Sequence, residues 1–480
     1  MSVDLARTGA PGGPIDQVAE PTEAFDQGEP ADLADSADPA AAGRSLAAGI
    51  LARQEQRESS ARTYARHMPV VPVRAEGMTV YGADGRAYLD CLAGAGTLAL
   101  GHNHPVAISA IRKVLDSGAP LHVLDLATPI KDEFTQTLLS LLPGELGRTG
   151  KIHFCGPSGA DGVEAALKLA RAAAGGRTGL IAFAGAYHGM TAAALAATGD
   201  NAVRAAARVP DQGVTRMPFP QDYRCPFGVG SVAGVRIAVE QLRRQLADPN
   251  SGMTPPAALI VEPVQGEGGV NPAPDDWLRA VRQVTREHGI TMIADEVQTG
   301  LGRTGELWGV DHSGVVPDVM VLSKAIGGGL PLSVVVYRED LDQWAEGAHT
   351  GTFRGQQLAM AAGTATIKYV VEHELAPRAR TVGDQVQEAF RSAAADLPAI
   401  GDVRGRGLML GVELVDPDSA PDVLGARVAA PGLARQVRAA ALDRGLLVEL
   451  GGRHGAVLRL LTRVTITDEE ADRMVTSLTA

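Results

Sequence analysis

Three unbroken apolar runs stop at an ionisable residue: Ala258-Leu259-Ile260-Val261 before Glu262, Thr291-Met292-Ile293-Ala294 before Asp295, and Val319-Met320-Val321-Leu322-Ser323 before Lys324. Such runs lack the polar alternation of a half-exposed strand and suit strands covered on both faces, as in a parallel sheet. Ligands of parallel sheets bind outside the carboxyl ends of the strands. The pattern therefore predicts an acid and a lysine delivered to one edge of one sheet. From about Leu92 to Glu346, strand-like and helix-like segments alternate through short glycine-rich connections, predicting an α/β fold with a mostly parallel, doubly wound sheet.

The flanks read differently. A helix with one apolar face is expected from Ser45, followed by extended segments near Val70–Val73 and Thr79–Tyr81. Ala83-Asp84-Gly85-Arg86 supplies a turn between two strand-like runs, a hairpin signal. Beyond the central region come a helical stretch Leu358–Val371, a strand Gly407–Leu414, a helix Ala434–Arg444 and a strand Ala456–Leu461, together a smaller α+β lobe. The expected division is 45–91 as the first part of a small domain, 92–346 as a large ligand-binding domain and 347–480 as the rest of the small one. Residues 1–44 are rich in Ala, Asp, Pro and Gly; with few large apolar side chains they are expected to be a disordered acidic extension.

The 480 residues carry a net charge of −12, and no basic arm offsets it, so a nucleic-acid partner is not expected. Much of that charge lies in the extension, where nine acids between Asp4 and Asp38 face one base, Arg7. Cys91, Cys155 and Cys225 are far apart in sequence and in no metal or redox spacing, which fits a reducing cytoplasm. No secretory signal is visible. Thr178 to Gly199 lacks charged residues, but its scattered glycines and Tyr187-His188 make it a strand and loop rather than a membrane span.

Lys324 opens Lys324-Ala325-Ile326-Gly327-Gly328-Gly329. A lysine at a strand end near apolar walls has an accessible neutral form, which imine formation requires. Paired with a strand-end acid, it suits an aldehyde cofactor with a basic ring nitrogen. Strand neighbours point to opposite faces, so only one of Asp295 and Glu296 is expected to reach that nitrogen. Ser158, in Gly156-Pro157-Ser158-Gly159-Ala160-Asp161, precedes a helical run and offers a phosphate cup; alone, it is simply a helix cap. Tyr187-His188 sits in a loop after a strand, placed as a platform for a flat ring, though core packing would use the same residues. His102-Asn103-His104 is expected to be a loop whose histidines bond backbone, and no metal site is expected.

With these segments assembled, the chain resembles the class III (ω-amino acid) aminotransferases, which have pyridoxal phosphate fold type I. The resemblance runs from about residue 50 to the end. It is carried most specifically by Asp295-Glu296-Val297-Gln298-Thr299-Gly300-Leu301-Gly302-Arg303-Thr304-Gly305, with Lys324 at the expected distance after it. The resemblance implies that Lys324 binds the aldehyde of pyridoxal 5'-phosphate and moves the substrate proton, that Asp295 holds the ring nitrogen, and that Gln298 approaches the phenolic oxygen. It implies Tyr187 stacked on the ring with His188 beside it, and phosphate on Ser158, Gly159 and Ala160. Thr352, in His349-Thr350-Gly351-Thr352-Phe353, is implied as a phosphate ligand given to a second subunit, so that a homodimer shares its sites.

Substrate choice is implied to rest on Glu267 and Arg459. The arginine takes the α-carboxylate of glutamate, and Glu267 covers the arginine when a terminal amine reacts; Arg463 is an alternative ligand. Phe154–Asp161, Tyr187–Thr191 and His349–Gly355 resemble the diaminobutyrate–2-oxoglutarate branch of the class. That branch transfers an amino group between glutamate and the terminal carbon of aspartate 4-semialdehyde. Met190 stands where ornithine and 4-aminobutyrate relatives place a carboxylate-binding arginine. Gln356 replaces a usual asparagine, and Leu461-Thr462-Arg463 replaces a proline-rich turn, adding a positive charge near the entrance. Other ω-aminotransferases, and a same-fold aminomutase or racemase, remain alternatives.

Overall fold

In the computed structural model, which describes residues 39–210 and 213–480, the three apolar runs are neighbouring strands of one seven-stranded sheet: Pro256–Val261, Thr291–Asp295 and Val319–Ser323. They pair in parallel, with Ile293 opposite both Ile260 and Val319. Gly179–Phe183 and Val214–Met217 extend the sheet on one side, also in parallel. On the other side, Ser333–Tyr337 runs antiparallel to both of its neighbours and Lys151–Phe154 forms the edge. All strands of this sheet except Ser333–Tyr337 therefore end at one edge.

Both faces are covered, which explains why the strands carry no polar alternation. On one face Met320, Leu322, Val334 and Val336 join Ala359, Met360, Ile367 and Val370 of the helix Gln357–Glu372. On the other, Ile260, Ile293, Val321 and Val335 pack under Val163, Ala166 and Ala170 of the helix Gly159–Ala172. The helix Gln357–Glu372 thus buries its apolar side against the large sheet, so residues 357–372 pack with the large lobe rather than with the C-terminal lobe expected from residue 347 onward.

The second lobe has its own core. Ile400–Arg406, Met409–Leu414, Val457–Leu461 and Glu449–Gly451 form an antiparallel sheet in that order. Helices Leu375–Ala393 and Asp468–Thr479 close over it, with Val386, Phe390, Leu410, Leu458 and Met474 in one cluster. The turn at 83–86 joins Thr79–Gly82 to Ala87–Asp90, and Ala87–Asp90 then pairs in parallel with Leu446–Leu447. The beginning and end of the chain share this sheet, and Met78 and Leu89 share the same core.

The first helix spans Pro39–Arg57, six residues earlier than expected, so residues 39–44 are helical; the remainder of the acidic extension, 1–38, lies outside the described residues. Only Gly43 is buried among its described residues, so the expected apolar face is not seen. Among the described residues no helix is long and apolar enough to cross a membrane. The uncharged stretch Thr178–Gly199 divides into the strand Gly179–Phe183, a loop and the short helix Ala192–Ala197.

Candidate active site

A cavity of about 460 Å³ opens at the carboxyl ends of the large sheet. Asp295, Lys324, Gln298, Tyr187, His188, Ser158, Gly159, Ala160 and Glu267 all line it. Strand geometry separates the adjacent acids. Asp295 faces the cavity, its Oδ2 2.7 Å from His188 Nδ1 and its Oδ1 accepting from Val297 N at 3.1 Å. Glu296 turns into the protein and accepts from the amides of Gly309 and Val310 at 2.9 and 2.8 Å and from the Thr299 hydroxyl. Burial pushes Glu296 up to about 7.

Burial also works against a charged His188, but the hydrogen bond and charge of Asp295 prevail and raise its pKa. The His188 Nε2 atom is buried without a partner, as is Gln298 Oε1. Lys324 follows the strand Val319–Ser323 with a φ of 51°, a left-handed conformation that costs a non-glycine residue roughly 1–3 kcal/mol. Burial lowers its pKa; Glu267 opposes that shift and Arg459 reinforces it. The neutral amine is therefore more accessible than on a solvated lysine. A side chain at Gly96 would begin 3.7 Å from Gln298 Cγ and 3.9 Å from Lys324 Cδ, so bare backbone roofs these two residues.

Ser158 caps the helix Gly159–Ala172, its hydroxyl accepting from Asp161 N at 3.3 Å. First-turn amides have no acceptor within their helix and so favour an anion. Gly159 approaches Val297 so closely that a Cβ would lie 2.9 Å from its Cγ1. Pyridoxal phosphate fits this donor set, which lines one cavity: an amide cup, a carboxylate fixed by two partners, a buried lysine, and buried hydrogen-bonding capacity on His188 and Gln298. Thr352 is exposed and does not line the cavity of its own chain.

At the cavity wall Glu267 forms an ion pair with Arg459, which comes from the strand Val457–Leu461 of the smaller lobe and is 2% exposed. Gly451 gives the arginine its room, since a Cβ there would lie 2.3 Å from Arg459 Cδ. Arg463, the alternative ligand, is instead bound by both oxygens of Glu470 at 2.9 Å. The positive charge expected at the entrance is thereby paired. Gln356 caps the helix Gln357–Glu372 by accepting from Ala359 N at 2.7 Å. His102 does not bond backbone through its Nε2, as expected, but lies 2.8 Å from Asp90 Oδ2, while His104 Nδ1 is buried without a partner.

Two residues at the site have no role in the sequence reading. Glu262 accepts from Tyr187 N at 2.9 Å and Gly266 N at 3.0 Å, tying the aromatic loop to the loop of Glu267. Burial pushes its pKa up to about 7. Its signal was present, because it ends an apolar run as Asp295 and Lys324 do. Arg303 donates to Thr462 O at 2.6 Å and Gly96 O at 3.2 Å, joining the roof to the strand end beyond Arg459. Burial pulls it down to about 10. Spacing along the chain gives no sign of those partners.

The profile of the family described as aminotransferase class-III matches residues 60–480. A diaminobutyrate–2-oxoglutarate aminotransferase of Rhizobium meliloti is 52% identical over 440 residues, covering 92% of this chain and 93% of the relative. One from Haemophilus influenzae is 47% identical over 426 residues, covering 89% and 93%. Among solved structures, an (S)-enantioselective omega-transaminase from Thermomicrobium roseum superposes with a TM-score of 0.79 at 29% identity, over 90% of this chain and 97% of that one.

Proposed function

The chain belongs to the class III aminotransferases, and from that premise we propose that it moves the amino group of L-glutamate to the terminal carbon of L-aspartate 4-semialdehyde. The products are 2-oxoglutarate and L-2,4-diaminobutyrate, and the reaction is reversible. The observation that carries the choice of substrates is that Glu267, on the wall of the cavity that holds Lys324, is paired with the buried Arg459. The identity to the diaminobutyrate relatives supports it.

Pyridoxal phosphate, when bound, supplies the aldehyde that accepts the amino group and a ring that withdraws electrons from the reacting carbon. Asp295 would keep the ring nitrogen protonated, and His188 and the Val297 amide keep Asp295 in place. Lys324 Nζ would anchor the cofactor and, once freed by the substrate amine, would carry the proton from the substrate carbon that bears the amino group to the cofactor carbon that bore the aldehyde. Tyr187 would cover the ring, Gln298 would donate to its phenolic oxygen, and Ser158, Gly159 and Ala160 would hold the phosphate. When glutamate enters, its α-carboxylate takes Arg459 from Glu267. When the four-carbon substrate reacts at its terminal carbon, Glu267 returns, so the buried guanidinium is never left unpaired.

In the same reading, the enzyme is a cytoplasmic homodimer, and the exposed Thr352 completes the phosphate site of the second subunit. A coupled assay tests the substrates by following 2-oxoglutarate-dependent transfer from L-2,4-diaminobutyrate, ornithine, N-acetylornithine, 4-aminobutyrate and β-alanine. A clear preference for diaminobutyrate is expected. Preference for another amine keeps the chemistry and discards this substrate; cofactor turnover without 2-oxoglutarate consumption points to an aminomutase or racemase.

A further inference from the structure

Away from the cavity, on the far side of the Gly156 turn, three side chains with metal-binding atoms meet. His153 and Cys155 lie two residues apart on the edge strand Lys151–Phe154 and its continuation, where Cys155 N still bonds Ser333 O at 3.0 Å. Alternate positions on a strand share a face. His349 arrives from the loop before the helix Gln357–Glu372. One ligand atom from each residue lies within 4.8 Å of the other two. Tetrahedral zinc with bonds of about 2.0–2.3 Å needs ligand separations of roughly 3.3–3.8 Å, so shifts of about 1 Å in these side chains suffice.

The hydrogen bonds around His349 settle which nitrogen is free to bind. Lys168 Nζ lies 3.2 Å from His349 Nδ1 and can only donate, so Nδ1 carries the lone pair. Nε2 then carries the hydrogen and donates to Asp161 Oδ2 at 3.0 Å. A carboxylate bonded to the far nitrogen is the support that metal-binding histidines usually have. The Lys168 ammonium engages the lone pair that a cation on His349 Nδ1 would need, and it belongs to an exposed side chain that can swing into solvent. His153 contributes a buried Nε2 with no partner, and its ring meets His349 at 5.6 Å between centroids.

From this arrangement we propose that His153, Cys155 and His349 form a binding site for a borderline-soft divalent cation, zinc in particular, in competition with the Lys168 ammonium. Imidazole and thiolate ligands select zinc over calcium or magnesium. Binding replaces the Cys155 S–H bond with a Zn–S bond and releases one proton to solvent. Asp161 links the site to the phosphate cup, because the oxygen that accepts from His349 also accepts from Gly156 N at 2.6 Å.

Two variants with opposite expected effects test the site. Zinc titration of the cofactor-loaded full chain, by calorimetry and equilibrium dialysis, is expected to give one zinc per chain without loss of the visible cofactor band. His153→Ala should weaken that binding at least tenfold. Lys168→Met, which removes the competing ammonium, should tighten it several-fold. No stoichiometric binding, or binding that neither variant changes, overturns the proposal, and so does zinc that bleaches the cofactor band equally in wild type and His153→Ala.

Discussion

The floor of the cavity and its gate are both built on an acid and a cation-forming partner, but they are built differently. On the floor, Asp295 ends one strand of the large sheet and His188 lies in the loop after another, and their side chains are 5% and 0% exposed. At the gate, Arg459 comes from the smaller lobe and Glu267 from the larger, with exposures of 2% and 36%. A pair sealed on both sides is held in one geometry. A pair in which the arginine is buried and the acid half-exposed lets the acid move away, provided another carboxylate replaces it, since breaking a buried pair outright costs about 3–5 kcal/mol. In the proposed function, the floor would fix the chemistry, while the gate would admit two kinds of substrate.

The largest expected effect lies on the floor. Lys324→Ala should abolish the visible band of the bound cofactor and lower kcat on the order of 10³-fold or more. An unchanged spectrum would remove Lys324 as the anchoring residue. At the gate, Arg459→Ala should reduce kcat/KM for glutamate by roughly 10–100-fold, the equivalent of about 1.5–3 kcal/mol for a charged hydrogen bond. Diaminobutyrate should change far less, and an equal loss for both would end the distinction between floor and gate.

Glu267→Gln should act in the opposite sense. It should slow diaminobutyrate by roughly tenfold through the uncovered guanidinium, with glutamate nearly unaffected; a variant that slows both alike shows Glu267 to be only structural. The smallest effect on turnover concerns Glu262, beneath the Tyr187 loop, and is read in stability instead. Burial raises its folded pKa from 4.5 to about 7. Its protonated form is the favoured one in the fold, so this contribution to stability is complete below 4.5 and is lost as pH rises through 7. The loss amounts to at most about 3 kcal/mol. Tm should therefore fall less steeply between pH 5 and pH 8 in Glu262→Gln than in wild type; parallel curves would show that Glu262 does not titrate in that range.

Much of the floor was legible because a fully buried parallel strand leaves an unmistakable trace. The runs before Glu262, Asp295 and Lys324 are strands within two residues of their expected bounds. The gap lay in helices. Gln357–Glu372 has an apolar side that fits either lobe, and nothing local says which surface it covers. The Pro39–Arg57 helix buries almost nothing, so hydrophobic pattern had little to report there.

By itself, the sequence determined the parallel sheet, the edge to which its acids and lysine are delivered, and the loops that meet there, because periodicity and strand-end position are properties of consecutive residues. Tertiary structure decided which charges meet. Arg459 faces Glu267 and Arg463 faces Glu470, although the two arginines are four residues apart. His349 reaches the strand of His153 and Cys155 from across the chain. Such contacts depend on how two lobes and an edge strand pack in three dimensions, and Coulomb attraction acts over that distance, not over the number of residues between partners.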